Sequence, residues 1–129
     1  MKFIFELAVI FVFGAISYTC IEILWRGHSH PTMTVTGGVC FIFIYIFRIS
    51  TPELNILVRA LISAAVISAI EFAIGWVVNL KLGWEVWDYS ALRFNFMGQV
   101  SLFYSFLWFL LSIVSDLLAG VFYHRIFIP

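Results

Sequence analysis

Residues 3–24 read FIFELAVIFVFGAISYTCIEIL and are followed by Trp25-Arg26. A membrane helix needs about 20 mostly apolar residues. This run meets that length and ends in an aromatic and a cation, side chains that settle at the headgroups. Its only charges are Glu6 and Glu22. The opening Met1-Lys2 and apolar stretch has the outline of a signal peptide, but no small-residue cleavage site closes it, so it reads as a retained helix.

Composition extends this reading to the whole chain. Of 129 residues, 64% are apolar or aromatic and 11% are charged, against about 25% charged in a soluble domain; the mean hydropathy is +1.09. A chain of this size buries roughly 60–70% of its unfolded surface, so the apolar excess must face lipid. The formal net charge is zero, which gives no electrostatic ground for nucleic acid as a partner. Cys20 and Cys40 fall inside apolar runs and read as small buried residues, not as a disulfide framework or a zinc site.

Three further runs follow. Residues 34–49 are apolar but short, so a second span is drawn from 32 to 49, the weakest of the four. Ser50-Thr51-Pro52-Glu53 has the features of a helix start: a capping hydroxyl, a proline at the first position and an acid at the positive helix end. A third helix is therefore expected over 52–80 and a fourth over 97–124, after a first over 3–25. Residues 81–96, rich in Trp, charge and turn formers, are expected in the interface or folded back into the helices. The expectation is an all-α polytopic membrane protein, a four-helix bundle forming a single transmembrane domain over 1–129. Lys2, Arg48, Arg125 and Arg59 fall on one side by threading, and Arg26, Lys81 and Arg93 on the other. That bias places both termini in the cytoplasm. His124 and Arg125 read as a snorkelling helix end.

Small and polar residues line one face of each long helix. Gly14, Tyr18, Glu22 and Arg26 recur every four positions. Ala60, Ala64, Ser68, Glu71, Gly75 and Asn79 share a face of the third helix. Gly98, Ser101, Ser105, Trp108, Ser112 and Ser115 share one of the fourth, with Gln99 and Asp116 at its edges. Small residues at such spacing let helices approach closely in lipid. Glu71 stands apart. It lies ten residues before Lys81, about 15 Å along a helix, and a carboxylate at that depth costs roughly 3 kcal/mol. It is either a hydrogen-bonded helix clamp or a functional group that is paired, protonated or wet. Glu22 and Arg26 form either a local ion pair or part of a site. His28, His30 and Asp88 offer a weak metal site, a proton relay, a network holding the loops together or, with Arg26, a cradle for a phosphate or lipid headgroup. No cofactor is evident, though a bound metal or lipid fits these residues. There is no P-loop, so no intrinsic ATPase, and no nucleophile elbow or zincin motif.

Several of these residues resemble one family. Glu22, Trp25-Arg26-Gly27-His28-Ser29-His30, Glu71, Asn79, Trp87-Asp88-Tyr89-Ser90, Asn95, Gly98-Gln99 and Trp108 are similar to the putative ABC-transporter type IV (CmpB-like) family. Its members are small bacterial membrane proteins with vertebrate relatives. The resemblance spans nearly the whole chain and implies a bacterial plasma-membrane location. It also implies that Glu22, Arg26, His28, His30, Glu71, Asn79, Asp88, Asn95 and Gln99 form a site.

Three functions follow as expectations. The first is a transporter-like or permease-like protein in which Glu22, Arg26, Glu71, Asn79, Asn95 and Gln99 bind a small polar solute or lipid headgroup. It would work as a homo-oligomer or with a partner membrane subunit. The second is an intramembrane enzyme acting on a lipid or lipid-linked substrate through His28, His30 and Asp88. The third is an accessory membrane subunit whose polar network only fixes the fold. Membrane lipids are partners in all three.

Overall fold

Lipid offers no hydrogen bonds to a backbone, so a long apolar segment satisfies its own N–H and C=O groups by winding into a helix, whatever its content of Val and Ile. The computed structural model describes residues 2–27, 30–84, 86–88, 90 and 94–127, without the side chains of 126 and 127. It contains α1 (Lys2–Arg26), α2 (Pro31–Ser50), α3 (Ile56–Gly75) with a π-helical turn (Trp76–Lys81), a hairpin of β1 (Asn95–Phe96) and β2 (Val100–Ser101), and α4 (Leu102–Val121) with a second π-helical turn (Phe122–Phe127). Four helices, Lys2–Arg26, Pro31–Ser50, Ile56–Lys81 and Leu102–Arg125, are long and apolar enough to cross a membrane. The chain divides into two compact units, Met1–Asn55 with Val114–Pro129, and Ile56–Ile113.

In the first unit α1 and α2 pack closely because glycines face large side chains. A Cβ on Gly37 would overlap the Cβ of Tyr18, one on Gly38 would lie 2.6 Å from the Phe11 ring, and one on Gly14 would lie 2.5 Å from the Phe41 Cβ. Hydrogen here lets the backbones meet, the usual device for joining helices in lipid. The Thr19 and Thr34 hydroxyls bridge the same pair at 2.7 Å. His30 caps α2, its Nδ1 accepting the Thr32 N–H at 3.1 Å, and Pro31 takes the first helical position, where no N–H is needed. The end of α4 joins through aromatic contacts. Phe122 lies with its ring centroid 4.9 Å from that of Phe13 and 6.2 Å from that of Phe41.

In the second unit the Ser68 and Ser105 hydroxyls meet at 2.7 Å, joining α3 to the first half of α4. Ser101 and Trp108 are buried and, with Ser105, occupy the expected face.

Helix boundaries differ from expectation in two places. Residues 50–53 end α2 and do not begin α3. The Thr51 hydroxyl and N–H both turn back to the Phe47 carbonyl, at 2.6 Å and 3.1 Å, and α3 starts at Ile56. A hydroxyl can cap either a carbonyl behind it or an N–H ahead, and Pro52 disfavours helix at the residue before it. The fourth helix starts at Leu102, not at 97. Met97 (φ 55°) and Gly98 (φ 73°) are left-handed, and the Gln99 N–H donates to the Phe96 carbonyl at 3.0 Å, the geometry of a primed hairpin turn. Gly98 is needed there twice over, since a Cβ would also lie 2.8 Å from Asp88 Oδ1. Two single residues also depart. Cys20 is exposed while Cys40 is buried, and Arg59, counted above as a boundary charge, is buried in the first turn of α3.

Candidate functional site

Most of the candidate residues in the second unit form one hydrogen-bonded cluster. Asn79 sits in the π-helical turn that ends α3, a local widening of the helix often found at functional positions. Its Oδ1 accepts the Val86 N–H at 2.6 Å and the Trp87 N–H at 3.3 Å, and its Nδ2 donates to Gln99 Oε1 at 2.8 Å. Gln99 Nε2 donates to the Met97 carbonyl at 2.9 Å, and the Trp87 indole N–H donates to the Gln99 carbonyl at 3.0 Å. Gln99 is 2% exposed and Trp87 5%. Both fit against α3 because position 75 is glycine. A Cβ there would lie 2.5 Å from Gln99 Oε1 and 2.9 Å from the Trp87 ring. The described residues between 82 and 101 thus form a cap that Asn79 holds to the end of α3 through Val86, Trp87 and Gln99, with the Trp87 indole tying the cap to itself.

Asn95 and Asp88 continue the network outward. Asn95 Oδ1 accepts the Gly98 N–H at 3.0 Å and its Nδ2 donates to the Ser90 carbonyl at 3.4 Å. Asp88 Oδ1 accepts the Ser90 N–H at 2.9 Å. That backbone bond holds the exposed Asp88 carboxyl below its usual value of 3.8. A carboxyl depressed on folding adds stability above its unfolded value and loses it as pH falls through the folded one. The turn at 88–90 is therefore expected to loosen only in acid, below about pH 4. Asp88→Asn keeps the acceptor and should abolish the pH dependence, which amide exchange at Ser90 would report.

Glu71 lies two turns before Asn79 on α3, buried at 6% exposure. Asn79, Asn95 and Gln99, expected to contact a solute, are hydrogen-bonded to one another or to the cap backbone.

In the first unit Glu22 accepts the Tyr18 hydroxyl at 2.7 Å and pairs with Arg26 at 3.5 Å, one helical turn away. The Arg26 guanidinium also reaches the Met33 sulfur at 3.7 Å. His30 accepts at Nδ1, so its neutral imidazole carries the proton on Nε2. His28, Ser29, Tyr89 and Arg93 lie outside the described residues. Among those described, no group of three or more His, Cys, Asp or Glu is placed to hold a metal ion.

Sequence reasoning missed a second buried polar set. The Tyr45 hydroxyl donates to Glu6 Oε2 at 3.3 Å, with Tyr45 fully buried. Arg48 Nε lies 3.3 Å from the buried Asp116 carboxylate, its guanidinium running over Gly120, where a Cβ would be 3.1 Å away. Charges inside apolar runs were the available signal, and no spacing rule pairs them.

The sequence model of one family, described as putative ABC-transporter type IV, matches residues 9–127. The chain belongs to this family. The match covers every candidate residue from Glu22 to Gln99 and the Arg48–Asp116 pair, while Glu6 falls just before it. Neither the curated proteins nor the solved structures contain a match to the chain. As an ABC-transporter type IV family protein it is an integral membrane protein, with four helices among the described residues long and apolar enough to cross the bilayer.

Proposed function

We propose that the protein is a permease-like membrane component that binds a small polar solute or a lipid headgroup at Glu71. The observation that carries this reading is the burial of Glu71 (6% exposed) as the sole carboxylate of an apolar span, Ile56–Lys81. A carboxylate costs more in such a place than a neutral polar clamp would. Asn79 and Gln99 then position the cap beside the solute path, and Glu22 with Arg26 provides a charged pair in the first unit. The same reading has the four helices in one bundle, both termini in the cytoplasm, residues 82–101 at or within the membrane boundary, and a homo-oligomer or partner subunit completing the pathway.

A thermal-shift screen of polar solutes and headgroup analogues on purified protein tests it. One class of compound should raise the melting temperature of the wild type, and Glu71→Gln should lose that rise while remaining folded. Equal stabilisation of wild type and variant would remove Glu71 from the site.

A second reading has one observation in its favour. The hydrogen bonds of Asn79, Gln99 and Asn95 run to each other and to the cap backbone, as an accessory subunit with a purely structural network requires. In that case no solute shifts the melting temperature, and Glu71→Gln changes stability alone.

A further inference from the structure

The cap presents large apolar side chains that its hydrogen-bond network does not use. Phe94 is 75% exposed, Phe96 60% and Met97 54%, and more than half of Leu82 and of Trp84 is exposed as well. Surfaces of this kind mark contact with another apolar phase. The hairpin also runs back along α3 and does not stand off its end. The Phe96 ring lies 5.2 Å from that of Phe72, nine residues before Lys81 and so about 13 Å back along the helix. Gln99 fits against Gly75 on the same stretch. Lys81 itself lies 5.1 Å over the Trp76 ring, a cation and indole pair suited to the headgroup level.

Non-helical backbone at that depth is tolerated where it is covered by protein or lines a water-filled cavity, and here its inner side lies against α3 at Phe72 and Gly75. Several of the hairpin's polar groups are also paired internally. The Phe94 carbonyl accepts from Leu102 N–H and the Phe96 carbonyl from Gln99 N–H, and the Gly98 N–H is taken by Asn95 Oδ1. We infer that β1, β2 and their turn re-enter the bilayer beside α3, with Phe94, Phe96 and Met97 in contact with lipid acyl chains. The inference rests on the proposed placement of residues 82–101 at the membrane boundary, and it narrows that placement to a re-entrant hairpin whose partner is the acyl layer. It does not depend on what is bound at Glu71.

Spin labels test it in liposomes of phosphatidylcholine and phosphatidylglycerol. One cysteine is introduced at a time, Met97→Cys or Ser90→Cys, in a Cys20→Ser, Cys40→Ala background that keeps the wild-type melting temperature. Collisions with dissolved oxygen should exceed those with a water-soluble nickel chelate several-fold at Met97, and the order should reverse at Ser90. Nickel dominating at both positions would overturn the inference together with the boundary placement. Shielding of Met97 from both reagents, with Ser90 still in water, would overturn the acyl contact alone and point to a protein surface covering the hairpin.

Discussion

Gly37→Leu is expected to yield no folded protein, and Gly37→Ala a protein that melts far below the wild type. The reason is local. The atom facing Gly37 is the Cβ of Tyr18, which is fixed to the α1 backbone and cannot swing aside as a ring or a chain end can. The helices must therefore separate, and separation breaks the neighbouring contacts at Gly14 and Gly38 and the Thr19–Thr34 hydroxyl pair. Overpacking ordinarily costs about 1–3 kcal/mol. Gly37→Ala should reach the upper end of that range, because no rotamer change relieves it. Val39→Ala on the exposed side of the same helix should stay within about 0.5 kcal/mol. Melting in detergent micelles checks both. A Gly37→Ala protein as stable as the wild type would show that α1 and α2 do not meet there.

The second large effect belongs to Asn79→Ala. That side chain satisfies the Val86 and Trp87 N–H groups and the Gln99 side-chain carbonyl, and Val86, Trp87 and Gln99 are all buried. Each orphaned polar group costs about 1–3 kcal/mol if it stays buried. Undocking the cap is the cheaper outcome, since its backbone can then pair with water. The variant should therefore keep its helices while the amides of residues 86–88 exchange at least tenfold faster. Trp87 emission should shift to longer wavelength as its buried indole leaves Gln99 for water, with Trp87→Phe in the Asn79→Ala background identifying the source. Unchanged exchange would mean that the cap is held by something other than Asn79.

Much of the fold is legible in the sequence, because lipid leaves apolar segments a single option. The runs around residues 3–24 and 56–80 become helices for that reason, and Trp25-Arg26 and Lys81 close them where expected. Glu22 and Arg26 are found paired because a four-residue spacing is a local rule. The hairpin was hidden for the opposite reason. Gly98, Ser101 and Ser105 keep a helical spacing across its turn, and the left-handed Met97 carries no side-chain cue. Glu6 and Tyr45 lie 39 positions apart, and Arg48 meets Asp116 from another helix, so only packing brings them together. Asn79 and Gln99 were both singled out, yet their hydrogen bond depends on the hairpin.

The central proposal is that the four long apolar helices of this family member each cross the membrane, and sided labelling of single cysteines tests it most directly. Glu53 and Ser90 are exposed and flank the third span, and Lys2 lies at the start of the first. In sealed vesicles carrying one cysteine each, in a background free of Cys20 and Cys40, Lys2→Cys and Glu53→Cys should react with an impermeant maleimide from one side. Ser90→Cys should react only from the other. Labelling of Glu53→Cys and Ser90→Cys from the same side would contradict the account, because α3 would then not cross the bilayer.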